Sequence, residues 1–319
     1  MATIVDHQPP AEGTLTSKPE LRTTPGMKRA RRKDALYGLG FLAPQLFGLI
    51  AFMIGPLIFA FYLAFVNWDG FNRMTPAGFA NFKFVFTDPQ MNTSARNTIW
   101  FTILQVPSVM LSGFIAAFFL QKVGRIRSFY RVLFFAPQVT SSVAVAAIWL
   151  WLFNPDISPL NSILARVGLT PPDWLQNPNT VILAFAIVGV WQGLGYQVVM
   201  FMAGLENVPK SLLEAADIDG ASDWQKLRRI TIPLLSPTIL FLSITSIIGS
   251  FQIFDYIYVF LDTTAPSSAR TVVYEIVQIA FREFSYGRAS ALAICLFLAL
   301  LVLTGLQLLA QRRWVHYTE

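Results

Sequence analysis

Two groups of hydrogen-bonding and aromatic residues interrupt apolar stretches of this sequence. They are Trp191, Gln192 and Tyr196 in the middle of one stretch, and Gln252, Asp255 and Tyr256 near the end of another. Amide, hydroxyl and aromatic groups are those with which proteins bind small hydroxylated molecules. In a helix, Gln192 and Tyr196 lie one turn apart on one face. The two groups are therefore candidates for a path along which a solute passes.

The same residues are also compatible with a structural role, and the pattern leaves this alternative open. Gly189 and Gly193 form a small-x-x-x-small pattern that packs membrane helices closely, and nearby polar groups then bond to neighbouring helices. At 1.5 Å per residue, Gln252 lies roughly 22 Å along the helix from Pro237, which suits an outer gate better than a midplane site. In the structural alternative Asp255 lies at the water interface.

Residues for other kinds of chemistry are missing from the apolar stretches. His7 and His316 are the only histidines, both in terminal segments, and Cys295 is the only cysteine. No G-x-x-x-x-G-K-[ST] motif is present to cradle a nucleotide phosphate. Ion-coupled carriers place carboxylates in mid-membrane, and no such set is found. The sequence therefore predicts no cofactor, no metal and no catalytic site, and transport would need an external source of energy.

The composition indicates an integral membrane protein. Charged residues make up 13% of the 319 residues and hydrophobic residues 54%, whereas soluble proteins average roughly 25% charged residues. From Asp34 onward, six charge-free runs exceed the ~20 residues that cross a bilayer as a helix. They are 35–68, 97–121, 132–155, 174–205, 230–254 and 289–311. These runs predict an all-α protein with six transmembrane helices, and a re-entrant segment is the alternative for any one of them.

The basic residues alternate between the two sides of the predicted membrane. Lys and Arg are concentrated before the first run and after the second, fourth and sixth, while the remaining loops are poorer in them. Because basic residues near span ends stay in the cytoplasm, both termini are predicted to be cytoplasmic. The placement explains the net charge of +6 without a nucleic-acid partner. We expect a basic disordered tail at 1–34, a membrane domain at 35–311 and a cytoplasmic tail at 312–319.

The loop 206–235, between the fourth and fifth runs, carries signals for two short helices around a turn. The capping-box pattern occurs twice, in the segments 211–214 and 222–225, and each occurrence predicts a helix start. Gly220 suits the left-handed residue that follows a helix. The second helix is predicted to end at Pro233, before a Ser236-Pro237 cap of the fifth span.

The second of these helices has an apolar face at helical spacing. The face consists of Trp224, Leu227, Thr231 and Leu234. Lys226 and Arg229 point elsewhere around the helix. An amphipathic helix of this kind fits a groove on a partner protein. It also fits a hairpin that packs on its own bundle, with Glu214 serving only as a cap, and the pattern does not decide between the two.

The hairpin resembles the EAA signature of binding-protein-dependent ABC importer permeases. The signature is matched by Glu214-Ala215-Ala216, Gly220, Ile230 and Pro233, with Ile232 where leucine is commoner. Segments 41–44, 67–68, 96–98, 151–155 and 286–291 resemble the carbohydrate branch, which includes permeases for maltose, multiple sugars and glycerol-3-phosphate. The loop 262–266 departs from the glycine-rich turn of many relatives, so the solute is less defined than the family.

The resemblance implies the type I ABC importer permease architecture, in the plasma (inner) membrane of a bacterium or archaeon. It implies a second, similar permease as heterodimer partner, two ATPase subunits, an extracytoplasmic solute-binding protein and a sugar or sugar-like solute. The implied ATPase-coupling residues are Glu214, Ala215, Ala216, Asp219, Gly220, Ala221, Trp224, Leu227, Ile230 and Pro233. The alternatives are an ABC permease for another solute, a channel or ion-coupled carrier, and a membrane-embedded enzyme. The hairpin disfavours the channel or carrier, and the enzyme lacks a catalytic constellation.

Overall fold

The structure is a computed structural model that describes residues 25–124, 127–261 and 265–315, with no side-chain description for 25–36, 122, 127 and 313. Most of the predicted 1–34 tail, the end of the 312–319 tail and the start of the 262–266 loop thus lie outside the described residues. The chain divides into two compact units, Met1–Leu57 and Ile58–Glu319.

The first unit is helical throughout its described part. Helix α1 spans Pro25–Leu49, a π-helical turn follows at Ile50–Ile54, and α2 spans Gly55–Leu63. The π-turn directly precedes Pro56, which lacks an N–H and whose ring displaces the turn before it, so local widening is expected there. Helix α1 begins inside the 1–34 segment that the sequence predicts to be disordered.

The second unit contains the rest of the described chain. Strands β1 (Val66–Asn67) and β2 (Thr75–Pro76) form an antiparallel pair. The helices are α3 Ala80–Thr87, α4 Pro89–Lys122, α5 Arg127–Val139, α6 Ser142–Leu152, α7 Pro159–Arg166, α8 Val181–Glu206, α9 Lys210–Ile218, α10 Asp223–Lys226, α11 Ile232–Leu234, α12 Ser236–Phe251, α13 Asp255–Leu261, α14 Val272–Phe281 and α15 Tyr286–Ala310. A π-helical stretch, Leu227–Thr231, joins α10 to α11. A 3₁₀ turn at Gln311–Arg313 follows α15.

The predicted all-α membrane fold is confirmed, but the third predicted span is bent and the fifth is interrupted near its end. Within the described residues, five stretches are long and apolar enough to cross a membrane. They are Tyr37–Leu63, Pro89–Gln121, Val181–Glu206, Ser236–Leu261 and Tyr286–Ala310.

The run 132–155, predicted as a straight third span, is instead the bent pair α5 and α6, whose helices Ser128–Val139 and Ser142–Leu152 meet at 96°. The spans number six only if this pair counts as one. The bend lies just after Pro137, which cannot donate a helical hydrogen bond. Ser141 has an extended backbone with ψ 134°, so the helix cannot continue through it.

Helix α8 is the most enclosed of the spans, and glycines allow its neighbours to approach. A methyl group at Gly189 would lie 3.2 Å from Gln105 of α4, and one at Gly193 would lie 3.3 Å from Val109. At Gly195 a methyl group would lie 2.6 Å from the Cα of Phe135 in α5, so no other residue fits there. The predicted small-residue packing is therefore present.

The N-terminal part of α4 is bonded to the loop that follows α13. The Asn97 amide donates to the carbonyls of Ser267 and Arg270, both at 2.9 Å. The Thr98 hydroxyl accepts from the Val272 N–H at 3.0 Å. These bonds give a structural reason for polar residues at the start of a membrane helix, where the sequence resemblance had marked segment 96–98.

A buried carboxylate completes this junction. Glu275 is 2% exposed, accepts from the Gln90 amide at 2.8 Å and lies 3.6 Å from the Arg270 guanidinium. Burial raises the pKa of the Glu275 carboxyl, while Arg270 and Gln90 oppose that shift. Helix α14 is thereby anchored to α4 and to the loop before it.

Candidate solute cavity and coupling hairpin

A polar cavity of about 380 Å³ lies between α4, α5, α6, α8 and the junction of α12 with α13. Five of the six residues predicted for a solute path line it. They are Gln192, Tyr196, Gln252, Asp255 and Tyr256. Both groups face this one cavity, so the structure brings together residues that the sequence analysis had assigned to two sites. They meet because the fifth span is not a continuous helix.

The break in the fifth span turns its polar end toward the cavity. Helix α12 ends at Phe251, and Gln252 leaves the helical region with φ −96° and ψ 12° before α13 begins at Asp255. The freed carbonyl of Ile253 accepts from the Thr271 hydroxyl at 3.0 Å. Non-helical backbone at membrane depth needs such partners, or a water-filled cavity beside it. This break has such a partner in Thr271, and it lies beside the cavity.

Gln192 connects the two broken spans through hydrogen bonds. Its side chain is 9% exposed, and its Oε1 accepts from the Tyr256 hydroxyl of α13. Its Nε2 donates to the carbonyl of Thr140 at 3.5 Å, at the bend between α5 and α6. The two alternatives for Gln192, solute path and helix packing, thus coincide in one side chain.

Trp191 does not belong to the cavity, which corrects the prediction for this residue. Its ring packs edge-on against Trp149 at 5.8 Å between centroids. It lines a separate apolar groove with Pro137 and Leu194. The reason is helical geometry, because neighbouring residues of a helix point about 100° apart. An aromatic surface is instead offered to the cavity by Tyr196 and Tyr256.

Several lining residues were missed by the sequence reasoning. They are Gln105, Gln138, Ser142, Gln197 and Thr245. The Gln197 amide is buried and donates to the Ser246 hydroxyl at 2.8 Å. Amide side chains inside otherwise apolar spans were the signal that could have identified these glutamines, because polar groups there usually face a cavity or a bundle interior. Within the described ranges, no cluster of residues suits a metal ion.

The turn of the hairpin has the geometry that its glycine predicts. Gly220 has φ +73°, and it follows α9 directly after Asp219. The Ala221 N–H donates to the Ala216 carbonyl at 2.9 Å, and the Gly220 N–H to the Asp217 carbonyl at 3.1 Å. This pair of bonds is a Schellman motif, in which a residue with positive φ ends the helix. The predicted glycine turn is confirmed.

The predicted helix starts and stops are partly wrong. The Ser222 capping box is present, since the Ser222 N–H donates to Gln225 Oε1 at 2.7 Å and the Gln225 N–H to Ser222 Oγ at 3.4 Å. The segment 211–214 forms no capping box, because α9 begins at Lys210 and Pro209 is its N-cap residue. Ser211 is already inside the helix, so its hydroxyl cannot serve as the cap.

The prediction that the second helix ends at Pro233 is also wrong. Pro233 lies within α11, directly after the π-helical stretch Leu227–Thr231 that widens the helix ahead of the proline. Ser236 is the first residue of α12 rather than its cap, and its hydroxyl donates to the Pro233 carbonyl at 2.5 Å. The helical path therefore continues almost unbroken from the hairpin into the fifth span.

A lysine joins the two arms of the hairpin. Lys226 Nζ lies 2.6 Å from Asp217 of α9 and 2.9 Å from Asp223 of α10. Hydrogen bonds to Asp217 and then to Asp223 raise the pKa of Lys226. Because Asp223 and Lys226 lie in the same helix, it is the contact with Asp217 that connects the two arms.

The tip of the hairpin is exposed, whereas its base is packed. Ile218 is 88% exposed and Trp224 67% exposed, while Thr231 is buried. Exposed coupling residues are Glu214, Ala215, Asp219, Gly220 and Trp224, and half-buried ones are Ala216, Ala221, Leu227, Ile230 and Pro233. The single apolar face predicted for the second helix is therefore divided, because the π-helical stretch shifts the residues that follow Lys226 around the axis.

Comparison with known proteins supplies the family. The description "Binding-protein-dependent transport system inner membrane component" matches residues 109–316. The chain is 33% identical over 298 residues to the probable ABC transporter permease protein YesP of Bacillus subtilis (strain 168), covering 91% of this chain and 96% of the relative. It is 30% identical to the arabinooligosaccharides transport system permease protein AraP of the same strain, covering 84% and 87%.

A solved structure has the same fold. It is described as a bacterial ABC transporter involved in the import of the acidic polysaccharide alginate, and the superposition has a TM-score of 0.78. The match covers 90% of this chain and 98% of that chain at 23% sequence identity.

Proposed function

The chain belongs to the family of binding-protein-dependent transport system inner membrane components, and from this we propose that it is the permease subunit of an ATP-driven importer for a sugar or sugar-like solute. The observation that carries the proposal is the cavity, where polar groups from broken helices converge. Permeases of this family are membrane components without an enzymatic activity of their own. The name of AraP, for arabinooligosaccharides, supports the sugar class.

The cavity is this chain's part of the solute path. A sugar that enters the membrane loses hydrogen bonds to water, and each unmatched polar group costs ~1–3 kcal/mol. The cavity offsets this loss with amide and hydroxyl groups, among them Gln192, Tyr196, Gln252 and Tyr256. Because α13 and the α5–α6 bend are bonded through Gln192, movement of either broken span changes the width of the cavity.

The hairpin is the docking element for a partner ATPase. Its tip presents Ile218 and Trp224 to solvent, and its turn is held by the Schellman motif and Lys226. A rigid, exposed apolar tip suits a groove on a partner. The nearly continuous helical path from α10 to α12 then conducts displacement of the tip toward the cavity lining of the fifth span.

The remaining partners and the orientation follow from the same proposal. Both termini and the hairpin are cytoplasmic, supported by the alternation of basic loops. A second, similar permease completes the pore as a heterodimer, two ATPase subunits bind the hairpins, and an extracytoplasmic binding protein delivers the solute. The surrounding membrane lipid contacts the outer faces of the spans.

Reconstitution tests the proposal. The tagged chain, co-expressed with its partner permease, ATPase and binding protein, is expected to purify as one complex. In proteoliposomes this complex should accumulate radiolabelled sugar only with ATP and the binding protein. Sugar accumulation that needs an ion gradient but no ATP would instead support the carrier alternative. A complex that purifies intact but moves only non-sugar solutes would contradict the sugar class.

A further inference from the structure

The described lining of the cavity contains a single charged residue. Asp255 is that residue, and the other lining residues in the described part of the chain are amides, small hydroxyl residues, tyrosines, glycines and apolar side chains. No lysine, arginine or histidine is among them. The charge of this chain's part of the solute path therefore depends on one carboxylate.

We propose that this cavity selects uncharged carbohydrates against anionic ones, and that Asp255 is a specificity-determining residue. The inference rests on the proposed function, because it assigns a class of solute to the same path. The fold alone leaves the class open. It is shared with a transporter for the acidic polysaccharide alginate, and relatives at 30% identity include AraP, named for arabinooligosaccharides, and UgpA of Agrobacterium fabrum (strain C58 / ATCC 33970), named for the anion sn-glycerol-3-phosphate.

The neutral lining matches the chemistry of sugar hydroxyls. Each hydroxyl both donates and accepts a hydrogen bond, and so do the amides of Gln105, Gln138 and Gln252. A carboxylate or phosphate only accepts, and proteins hold such groups with the donors and positive charge of Arg or Lys. The described lining offers no such cation to an anionic solute.

The carboxylate of Asp255 would in addition repel an anionic solute. It is exposed to the cavity at the break between α12 and α13, and no ion pair to it is found among the described basic residues. Two like charges repel more strongly in a confined site than in bulk water, because the effective dielectric constant is lower. An anion that entered this chain's part of the solute path would face this carboxylate without a compensating charge from the described lining.

Charged thiol reagents measure the potential of the cavity directly. Gly249 lines the cavity, and a side chain there meets no atom within 4 Å, so Gly249→Cys provides a reporter in a Cys295→Ala background. In the assembled transporter, the reporter is reacted with trimethylammonium-ethyl or sulfonato-ethyl methanethiosulfonate, with rates normalised to a free thiol. We expect the cationic reagent to react at least ~10-fold faster.

Two further variants assign that preference to its source. Asp255→Asn should lower the rate ratio several-fold. Asp156→Asn, which removes an exposed carboxylate outside the cavity, should leave the ratio unchanged. Equal normalised rates in the parent protein, or a ratio that Asp255→Asn does not change, would overturn the inference.

A transport assay separates this inference from the proposed function. The reconstituted complex with its binding protein is offered lactose and arabinotriose as uncharged solutes, and glucuronate and sn-glycerol-3-phosphate as anions. Uptake of the anions is expected to be below about one tenth of the uptake of the uncharged set. ATP-driven uptake of an anion at the rate of a neutral sugar overturns only this inference. Absence of ATP-driven uptake for both sets overturns the proposed function, while the reagent ratio still tests the charge of the cavity.

Discussion

The coupling hairpin and the solute cavity are stabilised in opposite ways. The hairpin is held by bonds over short sequence distances, such as Lys226 to Asp217, nine residues apart. The cavity is held by bonds between distant helices, such as Tyr256 to Gln192, 64 residues apart. The hairpin can therefore be altered by one local substitution that leaves the pore intact. A change in the cavity affects several spans together.

The largest expected effect concerns the side of the membrane to which each region is exposed. In a Cys295→Ala background, Asp156→Cys after α6 should react with an impermeant thiol reagent in intact cells, whereas Arg228→Cys beside the hairpin should not. Both positions are exposed in the structure, so accessibility should depend on sidedness. Permeabilised cells expressing the chain without its ATPase are the control, and there both should react. Labelling of Arg228→Cys in intact cells would exclude a cytoplasmic hairpin.

The next largest effect is expected at the turn of the hairpin. Gly220→Val forces a β-branched residue to adopt φ +73°, which costs ~1–2 kcal/mol and favours another turn geometry. We expect a fall of at least ~10-fold in both uptake and binding-protein-stimulated ATP hydrolysis, since a misplaced tip does not dock.

A glycine elsewhere in the chain provides a matched control. Gly168 follows α7, has φ +81° and has open space around it, as Gly220 does. Gly168→Val should carry similar backbone strain but retain the ratio of transport to ATP hydrolysis. If the two variants behave alike, the defect reflects lost stability and the hairpin loses its assigned role.

A smaller effect should distinguish the cavity from the groove next to it. Gln192→Ala removes the bonds to Tyr256 and Thr140, and we expect about tenfold lower uptake with the complex still assembled. Trp191→Ala should lower the midpoint of thermal unfolding of the complex but keep the KM for solute, because its ring lies outside the cavity. Normal uptake by a stable Gln192→Ala complex would contradict the path drawn through α8.

The smallest effect compares the two serines that the sequence predicts as caps. Ser222→Ala removes a cap that is present and should destabilise the start of α10 by ~1 kcal/mol. Ser211→Ala lies inside α9 and should change little. Amide hydrogen exchange of the hairpin in the solubilised complex is the measurement. If both variants lost the same protection against amide hydrogen exchange, the capping geometry in solution would differ from that of the structure.

The sequence predicted the hairpin turn well because its signals are local. Gly220 needs only its own backbone, and Ser222 caps a residue three positions away, so both follow from short-range rules. The predicted cap at Ser211 is wrong for a reason that is also local. The Pro at position 209 starts the helix two residues earlier than a serine cap requires, and the capping-box pattern does not register that competing start.

The cavity could be predicted only in part because it depends on where helices break. The run 132–155 carries no charge, so it was predicted as one span, although Pro137 and the polar residues 140–142 lie at the 96° bend. Likewise, distance along an ideal helix placed Gln252 in an outer gate, whereas the break at 252–254 turns it inward. Composition predicts which residues are in the membrane, but tertiary packing decides which of them share a cavity.

The junction at the N-terminal end of α4 has a consequence for how the chain is made. The Asn97 amide finds its acceptors 170 and 173 residues later in the sequence, and Gln90 finds Glu275 185 residues later. During synthesis α4 is therefore made long before the groups that bond to its N-terminal end have left the ribosome. Until then these amides must be satisfied by water or by the insertion machinery, which favours a late closing step. Truncation of the chain before α14 would leave the Gln90 amide at the N-terminal end of α4 without its Glu275 partner.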